Sequence, residues 1–319
     1  MATLPQHLTI VATDGFPLAA TVHTPAETND RTHVVLIASA AGVRRRFYGD
    51  YAKCLAQHGF TVVSFDYRGI GNSHPVPLHR LNAQLHEWGE SDLTGVIEWI
   101  TASFPNHVLF GLGHSIGGQL IGIAENNGRF EALMTVGAQS GYWNLWRGTM
   151  KVALWFLWHI AMPTLTWLCS CFPAKQLGLG ESLPRGVALE WARWSRDPDY
   201  LFGKYRRPSA MNFRRITAPV RAYSFADDRF APKRAVETLH AAFTEASIDH
   251  KHVHPVDIGR KRIGHFDFFR DACKATLWRD SVDWFIAQAS RSTDRAICRA
   301  AEERAKASVP IPTSSQLTA

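Results

Sequence analysis

Short apolar runs alternate with helix-spaced segments along most of this chain, and that alternation restricts the fold more than any other feature. Residues 33–39 (HVVLIAS) and 61–65 (TVVSF) are continuously apolar or nearly so. A strand with one wet face would alternate, so continuous runs predict strands covered on both faces. Between them Tyr51, Cys54, Leu55 and His58 recur at helical spacing, and Gly59 can close that helix. The rhythm continues as helix 89–102, strand 107–112, helix 116–126 and strand 131–137. It resumes as strand 219–225, helix 232–243, strand 249–256 and helix 271–289. Before it, runs 7–13 and 17–23 flank Asp14-Gly15 and predict a hairpin. The expected class is α/β, a mostly parallel central sheet with helices on both faces.

Residues 141–212 break the rhythm. They hold seven of the eleven Trp, and no Asp, Glu, Lys or Arg lies between Lys151 and Lys175. An inserted helical cap is expected there, on a core formed by 1–140 and 213–290, with 291–319 a frayed helix running into disorder. The uncharged run 152–172 is about as long as a membrane span. It lies between two strands of one sheet, however, so a spanning helix is not expected. Pro163 is expected to divide it into two helical pieces. Their apolar faces, with Trp155 and Trp158 as substrate-binding residues, are expected to form an acyl pocket. Peripheral contact of this cap with a membrane interface is a further expectation.

The chemistry concentrates in Gly111-Leu-Gly-His-Ser-Ile-Gly-Gly118, which follows the apolar Val108-Leu-Phe110 and opens a helical segment. A nucleophile on a sharp strand-to-helix turn needs an unusual backbone conformation. Small residues two before and two after it, Gly113 and Gly117, avoid clashes there. Such a turn exposes the hydroxyl of Ser115 and aims the N–H of Ile116 at a developing oxyanion.

With these motifs the chain resembles the α/β-hydrolase superfamily from about residue 7 to 290. Within it, the chain is similar to the bacterial serine aminopeptidase and monoacylglycerol lipase-like hydrolases. The resemblance implies a catalytic triad in the order Ser, acid, His. The acid falls in Phe225-Ala-Asp-Asp228 with Pro232 four residues on, which favours Asp228 over Asp227. Asp227 is then expected to be a turn residue that caps helix 232–243 or bonds local backbone. The histidine falls in Ile263-Gly-His265, after the last strand. The second oxyanion-hole donor is expected from Ser39-Ala-Ala-Gly-Val43, at the N–H of Ala41, with Ala40 next. The loop Asp66-Tyr-Arg-Gly-Ile-Gly-Asn-Ser73 also matches and is expected to be a structural turn beside the site. The activity implied is hydrolysis of a carboxylic ester, acyl or lipid-like, through an acyl-enzyme, with neither metal nor organic cofactor. An acyltransferase, an aminopeptidase-type peptidase and a non-enzymatic binding module are the alternatives.

The formal charge of +7 is spread in clusters such as Arg44-Arg-Arg46 and Arg260-Lys-Arg262. No nucleic-acid-binding signature accompanies it, so a small molecule rather than nucleic acid is the expected partner. The two arginine clusters flank the expected oxyanion loop and histidine and could attract an anionic substrate, though a solvated basic surface is the simpler expectation. His74, His79 and His86 lie in a loop without matching carboxylates or thiols and are expected to be surface or core residues, not metal ligands. Five cysteines without framework spacing, and an N-terminus without a secretory pattern, lead to an expected cytoplasmic location. No feature of the sequence sets an oligomeric state.

Overall fold

A computed structural model describes residues 4–26, 31–204 and 206–307 of the 319, with side chains as far as residue 295. Ten strands are present among the described residues: β1 Gln6–Val11, β2 Pro17–His23, β3 His33–Ala38, β4 Thr61–Phe65, β5 Val108–His114, β6 Phe130–Val136, β7 Cys171–Phe172, β8 Leu183–Pro184, β9 Val220–Phe225 and β10 Ile248–Val253. Eight of them form one sheet in the order β1-β2-β4-β3-β5-β6-β9-β10. The β1–β2 and β2–β4 pairings are antiparallel, and all the rest are parallel. Residues 12–16 join β1 to β2, where the Asp14-Gly15 turn is predicted.

The helices are α1 Gly49–Gln57, α2 Leu85–Glu87, α3 Thr94–Ser103, α4 Ile116–Ile123, α5 Gly148–Phe156, α6 Met162–Cys169, α7 Arg185–Arg196, α8 Lys233–His240 and α9 Arg279–Ala307. The central strand β3 shows why continuous apolar runs were needed. Val34, Leu36 and Ala38 point into one core with residues of α3, α4 and α8. Val35 and Ile37 point into the other, with Tyr51 and Leu55 of α1 and Val282 and Phe285 of α9. Each Val, Leu, Ile or Phe side chain among them contributes about 1.5–3 kcal/mol on burial. Helix α9 runs to Ala307, well past the predicted end at 289, and the rest of the expected disordered tail lies outside the described residues.

The segment between β6 and β9 carries α5, α6, the β7–β8 pair and α7. Pro163 does not divide it. Gly148–Cys169 is one continuous helix in which Leu157–Ala161 form a π turn between α5 and α6. That turn, placed just before the proline, lets the chain pass a residue with no N–H to donate. Leu154, Trp158, Met162 and Thr166, spaced by four, are buried on one side of it. Four polar ties hold this segment on the core. The Glu181 N–H donates to Gly42 O at 2.8 Å, and Arg44 pairs with Glu181 at 2.7 Å. The His86 ring lies 2.9 Å from Glu190, and Arg207 pairs with Glu90 at 2.6 Å. The carboxylate that partners His86 comes from outside its loop, 104 residues away in sequence.

Candidate active site

Ser115 sits at the junction of β5 and α4 with φ 54° and ψ −121°, a left-handed backbone that a residue with a Cβ adopts only under constraint. The constraint is close packing. A Cβ on Gly117 would stand 2.1 Å from the Ala38 carbonyl oxygen, and one on Gly113 would stand 2.5 Å from Gly118 Cα. Gly117 thus lets the elbow press against the end of β3, and Gly113 lets the first turn of α4 close onto β5, as their spacing predicts. Ile116 opens α4, whose first N–H groups have no intrahelical acceptor.

The loop after β9 supplies Asp228 and the segment after β10 supplies His265. His265 Nδ1 donates to Asp228 Oδ2 at 2.7 Å, and both residues are buried. The other oxygen of Asp228 accepts the N–H groups of Phe230 and Ala231 at 2.8 and 3.0 Å, which fixes the carboxylate plane. Asp227 does not cap the following helix and bonds no local backbone. Its Oδ2 crosses to the histidine segment and accepts the N–H groups of Ile263 and Gly264 at 2.9 and 3.0 Å. The adjacent carboxylates thus position the same histidine in two ways, one through its ring and one through the backbone of the two residues before it.

A third tie was not legible in the sequence. His114 Nε2 donates to His265 O at 2.9 Å, so its Nδ1 must accept, and it receives the Tyr48 hydroxyl at 2.9 Å. That hydroxyl in turn accepts the Ala40 N–H at 2.9 Å. Burial holds the His114 pKa well below the ordinary histidine range, and burial raises that of Tyr48. Both stay neutral, which keeps the donors and acceptors in this order. The chain links the loop after β3, the residue before Ser115 and the backbone of His265. It also commits the Ala40 N–H inward, leaving Ala41 as the expected oxyanion donor.

Replacing Tyr48 by Phe tests this link. The change leaves two buried polar groups unpaired, at about 1–3 kcal/mol each. A shift of the loop that forfeits about 1.4 kcal/mol of oxyanion stabilisation lowers kcat tenfold. The expected result is a kcat loss of about that size with KM little changed, together with a lower urea midpoint. A destabilised variant with unaltered kcat would make Tyr48 merely structural.

Other predicted residues fall elsewhere. Trp158 is buried and packs against Trp191 with ring centroids 5.0 Å apart. Trp155 is 42% exposed and stacks on His159, on the outer side of the same helix. Of the first arginine cluster, Arg44 is paired with Glu181, and Arg45 bonds Asp66 through both its guanidinium and its N–H. Only Arg46 of the three stays exposed, so this cluster mainly ties loops together. The loop beginning at Asp66 is structural in the same sense, because buried Arg68 pairs with Asp92 and Asp14.

A mostly parallel sheet with an antiparallel edge, a strained serine after β5, and an acid and a histidine after β9 and β10 make this an α/β hydrolase. Residues 29–201 match the family described as serine aminopeptidase, S33, and the chain belongs to that family. Solved structures share the fold at low identity. A soluble variant of monoglyceride lipase from Saccharomyces cerevisiae, in complex with a substrate analogue, is 15% identical with a TM-score of 0.64 over 90% of this chain and 95% of that one. A putative lipase from Acinetobacter baumannii is 12% identical with a TM-score of 0.58, over 90% and 93%. A thermostable carboxyl esterase from Bacillus coagulans is 13% identical with a TM-score of 0.56, over 90% and 99%. No curated protein matches the sequence.

Proposed function

We propose that this hydrolase cleaves a carboxylic ester with an apolar acyl group, through an acyl-enzyme on Ser115. The observation that carries the proposal is the pairing of an elbow serine at φ 54° with a histidine whose Nδ1 is held by a buried carboxylate at 2.7 Å. With Nδ1 protonated toward Asp228, Nε2 is the basic nitrogen of His265. It takes the Ser115 proton as Oγ attacks the acyl carbon. Asp228 stabilises the imidazolium that forms. The N–H groups of Ile116 and Ala41 hold the tetrahedral oxyanion, each donor contributing about 3 kcal/mol to lowering the barrier. His265 returns the proton to the leaving alcohol, then activates water to release the acid.

The acyl group is assigned to the buried side of the Gly148–Cys169 helix, with Trp158 as its main contact. Its support is the composition of that side and the anchoring of the segment to Gly42 in the oxyanion loop. A series of p-nitrophenyl esters of rising chain length, in plain buffer, tests the reading. Steady turnover with a preference for chains longer than acetate is expected. Trp158→Ala is expected to reduce kcat/KM for the longer esters by about tenfold more than for acetate, as loss of a buried aromatic contact requires. An unchanged chain-length profile in a folded variant removes the acyl pocket. An acyl-enzyme that clears only when an alcohol or amine is added makes the protein a transferase.

A further inference from the structure

Helix Gly148–Cys169 is apolar on two sides and buries one. It is long and apolar enough to cross a membrane, and only 22% of its most apolar stretch is buried. Opposite the buried stripe, Val152 is 66% exposed, Phe156 53%, Trp167 69% and Leu168 63%. Just past the helix end Leu177 and Leu179 are exposed as well. Single exposed apolar residues are ordinary, but a run of them along one helix marks a surface that is covered in use.

The charges around this face select what covers it. From residue 132 to residue 180 the sequence contains no Asp or Glu, while Arg147, Lys151 and Lys175 border the helix. Arg147 and Lys175 are exposed, and the Lys151 ammonium lies 5.5 Å from the Trp143 ring centroid at the first turn. A second copy of the chain, paired through the same helix, would bring the same carboxylate-free segment against this one and give those cations no opposite charge from it. An anionic lipid surface supplies both an apolar layer for the aromatic side chains and negative charge for the cations. Tryptophan is favoured at that depth. The helix cannot span, because its buried side packs on α7 and its ends lead to β6 and β9 of one sheet.

We propose that the exposed side of Gly148–Cys169 docks the protein on anionic phospholipid membranes, with the helix lying in the interface. The proposal does not depend on the triad. Full-length protein is floated with vesicles of phosphatidylcholine and phosphatidylglycerol, and separately with vesicles of phosphatidylcholine alone. The wild type is expected to float with the anionic vesicles and less with the neutral ones, and to be released by high salt. The triple variant Phe156→Ser, Trp167→Ser, Leu168→Ser is expected to lose at least about tenfold in partitioning. Its melting temperature should not fall, since all three side chains face outward. Should it fail to fold, Arg147→Glu with Lys151→Glu decides alone, by abolishing the preference for anionic vesicles. A wild type that stays unbound to both vesicles overturns the proposal. So does a wild-type dimer, detected by analytical ultracentrifugation, that the triple variant dissociates, because the face then belongs to a second copy.

Discussion

Replacing Ser115 by Ala is expected to lower ester turnover by at least about 10³-fold while the thermal midpoint stays within a few degrees of wild type. Both halves of that expectation follow from the elbow. Alanine keeps the Cβ, so it inherits the same φ of 54° at the same cost and asks no more room of Gly113, Gly117 and the end of β3. It removes only the oxygen. His265→Ala is expected to fall to a similar level, and the double variant no further, since under the proposed mechanism Ser115 and His265 act as one unit. Intact-protein mass spectrometry after exposure to a fluorophosphonate gives a second readout, with one adduct on the wild type and none on Ser115→Ala. A variant that retains turnover within tenfold of wild type, or labels normally, would place the nucleophile elsewhere.

How much of this was legible in the sequence depends on the range of the interaction. The strands and the elbow are local. HVVLIAS announces a strand covered on both faces, and the glycines around Ser115 announce a turn where backbone meets backbone. The structure repeats both, with β3 split between two cores and Gly117 pressed on Ala38. What could not be read is pairing across long separations. Nothing in Arg-Arg-Phe-Tyr48 hints that the hydroxyl bridges Ala40 and a histidine 66 residues on. Nothing near His86 or Arg44 points to Glu190 or Glu181 in the inserted segment. Pro163 misled for a related reason. Its missing N–H is a local fact, but whether it breaks a helix depends on the turn before it, and the π turn at Leu157–Ala161 accommodates it. Composition likewise flagged the Trp-rich run without saying which indoles face inward. Trp158 does and Trp155 does not.

The adjacent carboxylates provide the sharpest test of how the site works. Asp228→Asn is expected to lower kcat by about 10⁴-fold, since an amide cannot stabilise the imidazolium and can hold the ring in the wrong tautomer. Asp227→Asn is expected to stay within about tenfold of wild type. The Asp227 oxygen that matters only accepts N–H groups from Ile263 and Gly264, and an amide oxygen can do the same. Asp227→Ala removes that acceptor and strands two backbone donors beside His265, at about 1–3 kcal/mol each. It is expected to fall between the other two in kcat, with the urea midpoint lowered as well. The order therefore separates a residue that meets the reacting histidine from one that positions its backbone. A single-turnover assay with enzyme in excess of the ester compares all three without interference from product release. If Asp227→Asn were inactive and Asp228→Asn active, the pairing at 2.7 Å would be a structural contact and the acid would be Asp227. If both were active, no carboxylate would serve the histidine, and the reaction would rest on Ser115, His265 and the oxyanion donors alone.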